Sequence, residues 1–143
     1  MTIEDRKLLI ARILTPKTSV EADARAIADR VLWSWERMAF HLTPLIGEGG
    51  FQSLYLRAIH MALPECPRIT LLKHCKSTDD LFQKLREDLN FLDAVTTELC
   101  SSVLLNKFIE LVSSMIGDSL TGQILHSAWD DPSSQGSTQE SAK

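Results

Sequence analysis

Side chains of the types that bind zinc lie in the middle of the chain, at His60, Cys66, His74 and Cys75. Structural zinc sites usually place paired ligands about two to four residues apart, and this set lacks that pattern. His74 and Cys75 are adjacent, so on a helix they would point in different directions. We therefore expect no metal and no other cofactor, and we interpret the cysteines as small apolar groups.

Three glycines, Gly47, Gly49 and Gly50, lie close together before a predicted helix. Free backbone amides at the start of a helix bind anions, so this stretch is a candidate phosphate loop. A phosphate-binding loop, however, carries a lysine and then a serine or threonine after its last glycine, and here Phe51 and Gln52 follow. We interpret the three glycines as a structural hinge between helices.

His41 is followed by the tripeptide Leu-Thr-Pro, which is similar to the phosphoacceptor segment of sensor histidine kinases. In that segment an acidic residue directly follows the histidine. Leu42 takes its place here, so the imidazole lacks a base. Histidine phosphotransfer domains need a lysine about one turn after the histidine, and neither His60 nor His74 has one on its own helix face. We find no catalytic constellation and predict that the protein is not an enzyme.

The composition is that of one soluble domain. The chain has 143 residues, of which 44% are hydrophobic and 24% charged, and its formal net charge is −4. Proteins that bind DNA or RNA usually present a basic face, and this acidic balance provides none. We therefore expect no nucleic-acid partner.

The predicted location is the cytoplasm. The first residues include Glu4 and Asp5 and no apolar signal core, so we expect no export. The most apolar segment, 99–116, is interrupted by Lys107 and Glu110, so we expect no membrane span. The three cysteines are odd in number and loosely spaced, which favours reduced thiols.

Apolar residues recur at helical spacing along most of the chain, and no alternating pattern indicates a strand. One helix is predicted over Ile3–Leu14. A long second helix begins after Thr18 and reaches Leu42, where Thr43 and Pro44 end or kink it. The other predicted helical stretches are 51–62, 77–116, with a break between positions 90 and 97 left open, and 120–129.

The sequence thus predicts an all-α, single-domain bundle of about five to seven helices over residues 1–129, followed by a disordered tail over 130–143. Gly47 and Gly117 lie 70 positions apart. Each follows a helix and precedes an acidic residue, which suits a helix end with left-handed backbone. Two helix–hinge–helix halves that pack together are one explanation, and a common way of ending helices is another.

The segment 42–51, Leu-Thr-Pro-Leu-Ile-Gly-Glu-Gly-Gly-Phe, resembles a recurring segment of small uncharacterised bacterial helical proteins. The segment 116–121, Ile-Gly-Asp-Ser-Leu-Thr, resembles their C-terminal segment. The resemblance implies a bacterial origin and a helical fold, and it implies no particular chemistry.

These observations favour a non-enzymatic helical interaction or regulatory module that acts through protein–protein contacts. Trp33 and Phe40 lie off the main apolar stripe of their helix, and with Arg57 and His60 they form the candidate interaction surface. The expected partner is another protein or a second copy in a homodimer. The alternative is a small-molecule or lipid-binding bundle with an aromatic-lined cavity.

Overall fold

The computed structural model describes residues 3–14, 24–67 and 77–129. They form five helices and no strand, which confirms the predicted all-α bundle. The predicted helix start at Thr18, residues 68–76 between two predicted helical stretches, and the predicted tail 130–143 lie outside the described residues. In chain order, the helices are α1 (Ile3–Leu14), α2 (Ala24–Ala62), α3 (Thr78–Leu89), α4 (Ala94–Ile116) and α5 (Asp118–Ala128).

The long helix α2 breaks at Gly47, where φ is 83° and ψ is 158°. Trp35 and Tyr55, on opposite sides of the break, bring their ring centroids to 4.9 Å, so the chain folds back on itself here. The helix continues through Pro44, and the predicted end at that residue is therefore wrong. Proline is tolerated because α2 breaks three residues later and Phe40, whose carbonyl loses its helical partner, is exposed to water.

Gly117 separates α4 from α5 with nearly the same backbone angles, φ 95° and ψ 154°. The positive φ agrees with the prediction at both hinges. The ψ value differs from that of a left-handed helix and lies in an extended region that essentially only glycine adopts. Gly49 and Gly50 have no positive φ and belong to the helical segment after the break.

The predicted helical stretch 77–116 is not continuous, because a non-helical segment separates α3 from α4. This answers the question that the sequence left open. Ser77 and Asp93 are the N-cap residues of the two helices, and their side chains accept hydrogen bonds from the backbone N–H groups of Asp80 and Thr96. Such caps satisfy donors that have no partner within the first helical turn. The bond from Thr96 lowers the pKa of Asp93, so this carboxylate stays ionised at neutral pH.

The described chain repeats with an offset of 70 residues. The segment 24–46 of α2 and the whole of α4, 94–116, have the same length and each ends at its hinge glycine. Between 31–59 and 101–129, 24 of the 29 paired positions fall in the same class of solvent exposure. Since α1 and α3 both have 12 residues, the fold consists of two similar three-helix units, α1–α2 and α3–α5.

Both hinges lie at the same end of the bundle. Leu42 and Val112 are each five positions before a hinge glycine, and the two residues line the same small void. Each hinge glycine joins two helical segments into a hairpin. An aromatic core lies between the two hairpins. In it, the ring of Trp35 contacts those of Tyr55 and Phe108, with centroid distances of 4.9 and 4.8 Å. Aromatic pairs at such distances favour these edge-to-face arrangements.

Hydrogen bonds fix the end of α5 to the first segment of α2. The guanidinium of Arg37 donates from Nε to the carbonyl of Ala128 at 2.9 Å. The indole N–H of Trp129 donates to the carbonyl of Ser34 at 3.1 Å. Buried polar groups need such partners, and here they also orient α5 along α2.

Helix α1 runs in the same direction as α5. Near its start, Arg6 donates from Nε to the side-chain oxygen of Asn106, in the second half of α4, at 3.1 Å. At its end, the carbonyl of Ile13 accepts a bond from Nε of Arg30 in α2, also at 3.1 Å. Since α5 begins directly after α4 and ends beside the same part of α2, both helices run away from the hinge end.

Cys66 and Cys100 form a disulfide that joins the turn after α2 to α4, with a Cα–Cα distance of 5.6 Å. The prediction of reduced thiols is wrong for these two residues, and Cys75 lies outside the described part. This pairing could not be predicted from the sequence, because the two cysteines are 34 positions apart and only the folding of α4 against α2 brings them together.

Gly47→Val should lower the free energy of unfolding by about 1–3 kcal/mol, because a residue with a Cβ is strained at this φ and ψ. Gly49→Ala is the matched control. It should raise that free energy by about 0.5–1 kcal/mol, because an added Cβ meets nothing within 4 Å and alanine is the better helix former. Urea unfolding measures both, and equal effects of the two variants would contradict the hinge assignment.

Reduction of the Cys66–Cys100 disulfide should lower the free energy of unfolding by about 3–4 kcal/mol, because the closed 34-residue loop restricts the unfolded chain. Urea unfolding with and without reductant measures the change. The variant Cys75→Ser, which keeps the disulfide, should show the same change on reduction. Alkylation of the unreduced, unfolded protein should label one thiol. Labelling of all three would show that the disulfide is absent.

Candidate interaction groove

A groove of about 730 Å³ lies between α1 and α5. Both Leu8 and Leu9 line the groove; Leu8 is 69% exposed, whereas Leu9 is buried. Most of the lining residues are exposed, so a small molecule bound here would remain largely in water. Asp5, Leu8 and Arg12 line it from α1, and Asp118, Gly122 and His126 from α5.

The charges of the groove are separated along its length. Because α1 and α5 run in the same direction, the acidic residue of each wall, Asp5 or Asp118, lies nearer the hinge end than the basic residue of the same wall, Arg12 or His126. The leucines and Gly122 occupy the middle. Each wall therefore carries an acidic side chain and a basic side chain separated by about two helical turns.

The repeat relates the α1–α5 groove to a second contact between the two units, that of α3 with the second segment of α2, and this contact is bridged by hydrogen bonds. The carboxylate of Glu48 accepts bonds from the backbone N–H and the hydroxyl of Thr78, both at 3.2 Å. Gln52 donates to the same hydroxyl at 3.5 Å. These contacts join the start of α3 to the hinge.

The α1–α5 side keeps an acidic residue, Asp118, at the position related to Glu48, but it differs at the other two positions of this bridge. With the offset of 70 residues, Gly122 stands where Gln52 would be, and it has no side chain to reach α1. With the offset of 75 that relates α1 to α3, Ile3 stands in place of Thr78 and has no hydroxyl group. The groove is thus open where the repeat predicts a closed contact.

The residues of the predicted interaction surface, Trp33, Phe40, Arg57 and His60, differ in their surroundings. Trp33 is partly buried, with the Arg30 guanidinium 4.8 Å from its ring centroid. Phe40 is exposed and lines a smaller concavity of about 280 Å³ between α2 and α3. Arg57 and His60 are exposed on the second segment of α2. None of the four lines the α1–α5 groove.

The aromatic side chains proposed for a ligand cavity fill the interior instead. Trp35, Phe51 and Tyr55 are at most 1% exposed and pack ring against ring. The small void beside this core, between α2, α4 and α5, holds only about 10 Å³, about enough for one water molecule. These contacts give no support to the alternative of an aromatic-lined cavity.

Two polar groups, the buried Tyr55 and the half-buried His41, have shifted pKa values but do not make a reactive centre. Burial, and then the charge of Asp88, raises the pKa of Tyr55, so its phenol stays protonated. Burial, and then the charge of Arg37, lowers the pKa of His41, which keeps its imidazole neutral at pH 7. The Tyr55 hydroxyl and Nε2 of His41 have no hydrogen-bond partner among the described residues.

Helix α4 is long and apolar enough to span a membrane by length and composition alone, with a mean hydropathy of 1.4. It also forms the centre of the bundle, since α1, α2 and α5 all pack against it. A core helix passes the same test, so the absence of a membrane span stays a prediction. Val95 and Leu99, on the outer side at its start, are exposed apolar residues outside the groove.

Within the described ranges, no group of three or more His, Cys, Asp or Glu side chains is placed to share a metal ion. No known protein family matches this sequence, and neither a curated protein nor a solved structure shows significant similarity to it. The relationship to small bacterial helical proteins therefore stays a prediction, and the groove stands as the candidate site on its own geometry.

Proposed function

We propose that the protein is a non-enzymatic helical interaction module and that the α1–α5 groove receives a helix of a partner protein. The observation that carries this proposal is the open groove at a place where the repeat has a closed contact. Helices commonly bind partner proteins by laying an apolar face into such a groove. The exposed Leu8 and the buried Leu9 provide the apolar surface.

Gly122 supports the same proposal. A glycine inside a helix costs roughly 1 kcal/mol relative to alanine, and this one has no positive φ that would require glycine. A larger residue at this position would fill the middle of the groove. The absence of a side chain thus leaves room for a ligand at the expense of stability.

The cellular location stays a proposal as well. The acidic N-terminus motivated a cytoplasmic location, but the Cys66–Cys100 disulfide counts against it, because cytosolic thiols are kept reduced. An oxidising compartment fits the disulfide better.

A display library of helical peptides, selected against the full-length protein, tests the groove. Peptides that bind it should lose at least tenfold in affinity for Gly122→Leu, which fills the middle of the groove and favours the helix. Leu8→Gln should weaken binding by about tenfold, because the peptide loses apolar contact. Val95→Gln, the matched control outside the groove, should bind as the wild type does.

Two results would contradict the proposal. One is a selection that yields no peptide sensitive to Gly122→Leu. The other, measured by light scattering, is a wild-type dimer that becomes a monomer in Gly122→Leu, because the groove would then hold a second copy of the chain.

A further inference from the structure

The concavity between the first segment of α2 and the start of α3 places negative charge around an exposed aromatic ring. It has a volume of about 280 Å³, and Glu36, Glu48 and Asp79 line it together with Phe40. The side chain of Phe40 is 70% exposed. Among the described residues, the lining includes no arginine, lysine or histidine.

The register of α2 and α3 shows that two carboxylates face this concavity where a pair of opposite charges could form. Farther from the hinge, Arg86 of α3 donates to the carboxylate of Asp29 in α2 at 3.0 Å. Because α3 starts beside the hinge, two turns from this pair toward the hinge lead to Asp79 on α3 and to Glu36 on α2, roughly 10 Å along each helix. Neither carboxylate forms an ion pair among the described residues.

The other repeat holds a guanidinium at the related contact. The repeat relates the contact of α3 with the first segment of α2 to that of α1 with α4. There Arg6 donates to the side-chain oxygen of Asn106 at 3.1 Å and lies 4.0 Å from the carboxylate of Glu110. With the offset of 70, Glu36 corresponds to Asn106 and Phe40 to Glu110. With the offset of 75, a leucine takes the place of the arginine, so α3 provides no guanidinium.

The spacing of the carboxylates favours a broad cation. No three His, Cys, Asp or Glu side chains of the described residues are placed to share a metal ion. A guanidinium is planar, can donate to two carboxylates and stacks on aromatic rings, whereas the ammonium of lysine is a compact charge. The volume lies below the range of small-molecule pockets, which begins at about 300 Å³, and so suits a single long side chain.

We infer that this concavity binds an arginine side chain of a partner protein, whose guanidinium bonds to Glu36 and Asp79 and stacks on Phe40. Glu48 adds negative charge beside them. The concavity shares no lining residue with the α1–α5 groove, so the inference is independent of the function proposed for that groove.

Two positive groups near the concavity are engaged elsewhere. The guanidinium of Arg37 lies 5.9 Å from the centroid of the Phe40 ring and donates to the carbonyl of Ala128 at 2.9 Å. The start of α3 carries the partial positive charge of a helix N-terminus, and Glu48 and Ser77 accept hydrogen bonds from N–H groups there. Three carboxylates outweigh one guanidinium and a partial charge, so the concavity attracts a further cation.

NMR titration of the ¹⁵N-labelled full-length protein tests the inference. The probes are three capped pentapeptides, Gly-Ser-Xaa-Ser-Gly, in which Xaa is arginine, lysine or citrulline, the neutral analogue of arginine. At low salt the arginine peptide should bind with a Kd on the order of 1 mM and shift the amide signals of Phe40 and Asp79. The lysine peptide should bind roughly threefold more weakly and the citrulline peptide at least about tenfold more weakly.

Single substitutions at exposed positions locate the binding. Glu36→Gln should weaken binding of the arginine peptide about fivefold, because it removes one charged acceptor. Phe40→Leu should weaken it about threefold, because the stacking surface is lost. The matched control is Glu98→Gln, which removes one exposed carboxylate outside the concavity and should bind as the wild type does.

Equal binding of the arginine and citrulline peptides, or of the arginine peptide to the wild type and to Glu36→Gln, would overturn the inference. A lysine peptide that binds as tightly as the arginine peptide would overturn the assignment to a guanidinium. Gly122→Leu, which fills the α1–α5 groove, should bind the arginine peptide as the wild type does. Failure at the concavity therefore leaves the proposal for the groove standing.

Discussion

The fold depends on two glycines that take a backbone conformation closed to other residues. At Gly47 and Gly117 the chain leaves one helix and enters the next through a single residue with positive φ and extended ψ. Each hinge makes a helical hairpin, and both hinges lie at the same end of the bundle. The aromatic core forms where the hairpins meet, and the direction of α5, which forms one wall of the groove, follows from the second hinge.

The two three-helix units show how similar backbones acquire different surfaces. Their buried positions correspond because both must fill the same interior. The side chains at the outer contact do not correspond. Gln52 and Thr78 form a side-chain hydrogen bond between α2 and α3, whereas the residue types at the related positions, Gly122 and Ile3, cannot form such a bond.

Much of this fold could be predicted from local chemistry. Gly47 and Gly117 predict the two hinges, because a glycine followed by an acidic residue suits the junction of two helices. Ser77 marks the start of α3 because its side chain caps the helix. Pro44 was misleading because its effect depends on how close it lies to the end of the helix, and that end is set by Gly47.

The groove and the disulfide could not be predicted in the same way. Both depend on which helices become neighbours, and helical periodicity shows which face of a helix is buried but not the element that covers it. Gly122 was the one residue that could have indicated the groove. Glycine destabilises a helix, and the φ of this residue is not positive and does not require glycine. This indication becomes clear only when Gly122 is compared with Gln52, the residue at the related position, and that comparison requires the offset between the two units.

The disulfide has a consequence for the covalent connectivity of the chain. Cys66 lies after the second helical segment of the first unit, and Cys100 lies within α4 of the second unit. The two units are therefore joined twice, once by the backbone and once by sulfur. A single cut of the backbone anywhere between these cysteines would leave one molecule, whose two pieces separate only when the disulfide is reduced.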